Sequence, residues 1–102
     1  MKIALRQEEY SFLLNMLMHV DSKSYDPVYK NIAERIEKTA TDDGADRLVA
    51  LEESEIFNTL DALNEYIDEA ENGNYDDDTK KNRVDEASDM IGIIEEETGL
   101  SV

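Results

Sequence analysis

His19 is the only histidine and the chain has no cysteine, so nucleophilic or histidine-ligated metal chemistry has to be built around one imidazole. A Ser-His-Asp arrangement needs partners oriented on the ring, and a zinc site needs more than one such ligand. The chain carries no H-E-x-x-H pair, no G-x-S-x-G elbow and no glycine-rich phosphate cradle. Standing at the end of a helical stretch, His19 reads as a complement to the helix dipole or as a surface residue. Carboxylates are the other groups fit for acid-base work, but a working pair needs surroundings that drive two pKa values apart. Among 26 Asp and Glu in 102 residues, an exposed acidic face gives its members one shared environment. A protein without catalysis is expected.

Oxygen ligands are dense between Asp68 and Thr79, which raises calcium. In EF-hand register, Asp68, Asn72 and Gly73 match positions 1, 5 and 6 of the loop. Ala70 stands at position 3, however, and Thr79 where a bidentate Glu is required. What remains is a helix stop followed by an acidic first turn, and neither a metal nor any other cofactor is expected.

Ten Lys and Arg against 26 acids leave a formal net charge of −16. Such a chain repels nucleic-acid phosphates and anionic membrane surfaces, so direct binding to either is not expected. The charge is also lopsided: residues 1–50 hold seven basic and nine acidic residues, and residues 51–102 hold three and 17. Halophilic adaptation acts on the whole surface, and the near-neutral first half argues against it. Without cysteine there is no disulfide framework. Apolar runs such as Phe12-Leu13-Leu14 and Met16-Leu17-Met18 are too short to span a bilayer, so a soluble, cytoplasmic protein is expected.

The elements that position these groups follow from periodicity. One all-α domain over residues 1–102 is predicted, carrying at most a minor two-stranded ribbon. Residues 1–44 form a near-neutral helical hairpin and residues 45–102 a strongly acidic one. A first helix, about Gln7 to Val20, places Tyr10, Leu13, Leu14, Leu17 and Val20 on one face. Asp26-Pro27 supplies an N-cap and a first-turn proline for a second helix with Val28, Ile32, Ile36 and Ala40, which stops at Thr41 to Gly44. A third, about Glu53 to Glu71, buries Ile56, Leu60, Leu63, Ile67 and Ala70 and stops at Asn72-Gly73. The fourth follows Asp76-Asp77-Asp78, with Val84, Ala87, Ile91 and Ile94 inward, Gly92 weakening it and Gly99 ending it.

Two short apolar segments, Lys2 to Leu5 and Leu48 to Leu51, precede the first and third helices and are candidates for a paired ribbon. Offset by 46, Ile3-Ala4-Leu5 aligns with Val49-Ala50-Leu51, Glu9 with Glu55, and Leu14 and Leu17 with Leu60 and Leu63. Ser24-Tyr25-Asp26 likewise echoes Asn74-Tyr75-Asp76. The chain reads as two pseudo-repeated strand-helix-turn-helix units, although two amphipathic hairpins also resemble each other by necessity.

Asp61, Glu65, Asp68 and Glu69 lie opposite the apolar stripe of the third helix, with one charge about every 4 Å along it. A single DNA strand carries one about every 3.4 Å. Asp76, Asp77, Asp78, Asp85, Glu86 and Asp89 extend the field if the fourth helix packs beside the third, and Tyr66 and Tyr75 offer aromatic anchors. The first helix is apolar on more than one side. Phe12, Met16 and Met18 make it either the central helix or a contact between two copies of the chain.

Small size, strong acidity, absence of cysteine and an acidic helical half resemble phage-encoded DNA-mimic and anti-defence proteins, which occupy cationic nucleic-acid channels. The resemblance covers composition and the Leu51 to Glu97 region. It implies a non-enzymatic inhibitor of a basic nucleic-acid-handling protein in a bacterial or phage-infected cell. Toxin immunity proteins that cap a basic nuclease are similar on the same grounds. The further alternative is a structural protein that self-associates through its first helix.

Overall fold

The computed structural model describes residues 1–23, 27–44 and 46–101, with the side chain of Asp43 left aside. Its elements in chain order are β1 (Lys2–Arg6), α1 (Gln7–Asp21), α2 (Val28–Thr39), β2 (Thr41–Asp43), β3 (Asp46–Ala50), α3 (Glu53–Asn72) and α4 (Asp77–Thr98). The architecture is mostly helical, with four helices on a small antiparallel sheet of order β1-β3-β2.

The candidate ribbon forms. Ile3 pairs with Val49 and Leu5 with Arg47; the side chains of Ile3, Leu5 and Val49 are buried while Lys2 and Arg6 face outward, the alternation of a half-buried strand. The third strand was not expected. Asp42 is a poor strand former and Thr41 to Gly44 reads as a helix stop, yet Thr41 and Asp42 pair with Leu48 and Arg47 across Gly44, whose φ of +66° suits glycine. The hydroxyl of Thr39 donates to the Arg35 carbonyl at 2.8 Å, lies 3.3 Å from the Ala50 carbonyl and accepts from the Ala50 N–H at 3.4 Å. That side chain serves the edge of β3 beyond the end of β2.

Both halves enter their first helix in the same way. The backbone N–H of Arg6 donates to Glu9 Oε1 at 2.8 Å, and 46 positions later Glu52 N–H donates to Glu55 Oε1 at 2.9 Å. Each carboxylate thereby satisfies a free donor at a helix start. The halves also exchange partners: α2 packs on β3 and α4 on β1. The Asp26 cap and the Ser24 to Asp26 echo lie outside the described residues. Pro27 stands at the N-cap of α2, one place earlier than expected.

The core stripes depart from expectation at a few places. On α1, Met16 is buried at 1 % exposure while Leu14 is half-buried, so Met16 belongs to the core and is not available as a contact between copies. On α3, Thr59 and Ala62 are buried and Ile67 is only half-buried. The Thr59 hydroxyl donates to the Glu55 carbonyl at 2.8 Å, so burial leaves it satisfied. On α4, Met90 joins Ala87 and Ile94 inside, with Val84 and Ile91 half-buried. Gly99, at φ +72°, closes α4 as expected.

Candidate functional site

The link of residues 73–76 between α3 and α4 is short, and the two helices pack side by side. On α3, Asp61, Glu65 and Asp68 are exposed on the side away from Ile56, Leu60 and Leu63. On α4, Asp85, Glu86 and Asp89 are exposed as well. None of these six forms an ion pair among the described residues. Asp77 and Asp78 lie exposed in the first turn of α4, and Asp76 caps it. Asp76 accepts the Thr79 N–H at 2.7 Å, and hydrogen bonding from Thr79 holds its carboxyl below the ordinary value.

Glu69 departs from the expected row. Its carboxylate is turned into a cluster between helices, where Oε1 accepts from Lys23 Nζ at 2.7 Å and from the Tyr75 hydroxyl at 2.9 Å. His19 Nε2 lies 2.9 Å from Oε2. Partial burial pushes the Glu69 pKa up, but the hydrogen bonds from Lys23, Tyr75 and His19 outweigh it and lower the pKa to about 2. With Glu69 engaged, the open carboxylates at 61, 65 and 68 span about 10 Å, one charge about every 5 Å instead of about 4 Å.

The aromatic anchors are also engaged internally. Tyr66 meets Phe12 edge-on at 5.8 Å and His19 at 5.7 Å. The Arg83 guanidinium lies 4.3 Å from the Tyr75 ring and 5.6 Å from that of Tyr66. Burial raises the Tyr66 pKa. His19 is therefore neither a bare surface residue nor only a dipole complement; it ties α1 to α3. Sequence reasoning missed this cluster because His19 and Lys23 lie 50 and 46 positions from Glu69 and no local period connects them.

Lys80, Lys81 and Arg83 fall between the acidic first turn of α4 and Asp85. The acidic field therefore has two parts: the exposed carboxylates of mid-α3 and of α4 from Asp85 onward, and the capped acidic turn at Asp76 to Asp78. Among the described residues no group of three His, Asp or Glu is placed to hold a metal ion. No described helix is long and apolar enough to cross a membrane. What the arrangement offers chemically is anionic charge without ion-pair partners among the described residues, carried on helices packed against the core.

No family model matches the chain, and neither a curated protein nor a solved structure is significantly similar to it.

Proposed function

We propose that this protein is a non-enzymatic acidic binding protein that occupies the cationic, nucleic-acid-handling surface of a basic partner. The observation that carries this reading is the row Asp61, Glu65 and Asp68, exposed and unpaired on a helix whose other side is locked in the core. Charges on a rigid scaffold keep their spacing when a partner approaches, so little ordering cost opposes association. A solvated face that only maintains solubility is the plainer account. Against it stands the concentration of charge in residues 51–102, with 17 acids to three bases, because such self-repulsion costs stability without adding proportionate solubility.

Capture of partners from a bacterial lysate, with mass spectrometry, tests the reading. Basic proteins that bind DNA or RNA are expected, displaced by added nucleic acid. The variant Asp61→Asn, Glu65→Gln, Asp68→Asn should slow association at low salt while leaving the fold intact, since exposed charges add little stability. Glu69 is kept out of that variant because it holds the fold. Capture of neutral or acidic proteins, or unchanged association of the variant, ends the reading. Capture of a single basic toxin selects an immunity protein instead.

A further inference from the structure

A groove of about 910 Å³ runs between β1 and α4, and Ala4, Arg6, Gly92 and Ile93 are among its walls. Asp46, Asp89, Glu96 and Glu97 line it without an ion-pair partner among the described residues. A smaller hollow of about 260 Å³ shares Glu9, Asp89 and Ile93 with it and adds the apolar side chains of Phe12 and Met90. Acidic walls beside an apolar pocket suit a chain that alternates cationic and aliphatic side chains, since lysine and arginine lay apolar stems on such a floor while their heads meet carboxylates.

The sheet supplies a second and independent feature. The Met1 ammonium donates to the Leu51 carbonyl at 2.7 Å and Leu51 N–H donates to the Met1 carbonyl at 2.8 Å, so Met1 and Leu51 form a hydrogen-bonded pair. Such pairs alternate along an antiparallel ladder. Ile3 and Leu5 therefore turn their backbone groups toward β3, whereas Lys2 and Ala4 turn theirs away from it. The contacts of Thr39 with Ala50 on the far side of β3 obey the same alternation. Among the described residues β1 is an edge strand with no strand beyond it. Ala4, which lines the groove, thus carries an N–H and a C=O that no strand pairs. At Gly92 a Cβ would meet nothing within 4 Å, so the missing side chain leaves room on the α4 wall.

We infer that this groove seats an extended, lysine- or arginine-rich segment of the basic partner, its backbone pairing with Ala4 on the free edge of β1 and its cations facing Asp89, Glu96 and Glu97. The inference rests on the acidic-binding reading and assigns it a second, sequence-selective contact.

Fluorescence anisotropy with a labelled, end-blocked peptide alternating lysine and valine tests it. Gly92→Leu, which fills the groove, should weaken binding about tenfold or more, with Gly92→Ala as a near-parental control; circular dichroism and urea midpoints verify that both variants fold. The same peptide N-methylated on its edge-facing amides keeps its charge and should also bind about tenfold more weakly. The variant Asp61→Asn, Glu65→Gln, Asp68→Asn should change peptide affinity by less than about twofold, because those sites lie outside the groove. Parental affinity of folded Gly92→Leu or of the N-methylated peptide overturns the groove. So does affinity that follows the number of charges removed wherever they lie, an outcome that leaves the acidic-face reading standing. Failure of that reading shows separately, as indifference of a captured basic protein to the α3 variant.

Discussion

His19 at the end of α1 and Glu69 near the end of α3 meet at 2.9 Å, and this contact, with Lys23 and Tyr75 on the same carboxylate, ties α1 and the link after α3 to the helix that carries Asp61, Glu65 and Asp68. The pKa of Glu69, about 2 in the folded chain against 4.5 ordinarily, makes its contribution depend on pH. A carboxylate with a depressed folded pKa stabilises fully above its unfolded value, and the stabilisation is lost as pH falls through the folded one. Glu69→Gln should therefore cost about 2 kcal/mol near neutrality, allowing for solvent screening of a partly exposed group. The gap from the parent should shrink between pH 4.5 and about 2. Urea titrations of both proteins across that range measure it; a gap independent of pH would mean that the charge is not what stabilises.

Gly73 and Gly92 should respond oppositely to alanine. At Gly73 a Cβ would lie 2.6 Å from both the Glu69 carbonyl oxygen and the Tyr75 ring, so Gly73→Ala forces Tyr75 off Glu69 at a cost of about 1 to 3 kcal/mol. At Gly92, exposed in mid-helix with open space around it, alanine should stabilise by about 0.5 to 1 kcal/mol through helix propensity. Thermal melts of the two variants against the parent decide both.

The parts of the fold legible in the sequence are those set by local chemistry. The four helices announce themselves through apolar stripes and stop signals, whereas Lys2 to Leu5 and Leu48 to Leu51 stand out only as candidate strands, their alternation being too brief to settle whether they pair. β2 was not legible because Thr41 is followed by two aspartates and a glycine, which favour a turn, and the segment pairs only where β3 presents an edge. The open carboxylates of α3 could be read from their position opposite Ile56, Leu60 and Leu63. The engagement of Glu69, Tyr66 and Tyr75 could not, since it depends on how α1 docks against α3, and helical period alone does not distinguish a solvent-facing Glu from one turned toward a neighbouring helix.

Two side chains on the α3 stripe that looked equivalent should separate on truncation. Leu60 is 1 % exposed, whereas Ile67 is only half-buried at the edge of the core. Leu60→Ala should cost about 2 to 5 kcal/mol. Ile67→Ala should cost appreciably less, because water and neighbouring side chains can fill the space at a partly open position. Chemical denaturation resolves the two, and equal losses would place Ile67 in the sealed core.

Self-association through α1 is narrowed by where its apolar residues lie. Met16 is 1 % exposed, Phe12 packs against Tyr66, and Met18 is 47 % exposed. A charge introduced at Met16 enters the core and lacks a partner there, a change expected to unfold the domain rather than split a dimer. Met18→Glu adds a charge in solvent and should leave the fold within about 0.5 kcal/mol of the parent. A dimer formed over this helix would have to use Met18, so the informative comparison is the molar mass of the parent and of Met18→Glu by light scattering across a concentration series. Monomers in both cases are expected, because one exposed methionine and a half-buried phenylalanine fall short of the apolar area that stable homodimers bury. A parental dimer that Met18→Glu converts to monomer would restore α1 as an interface.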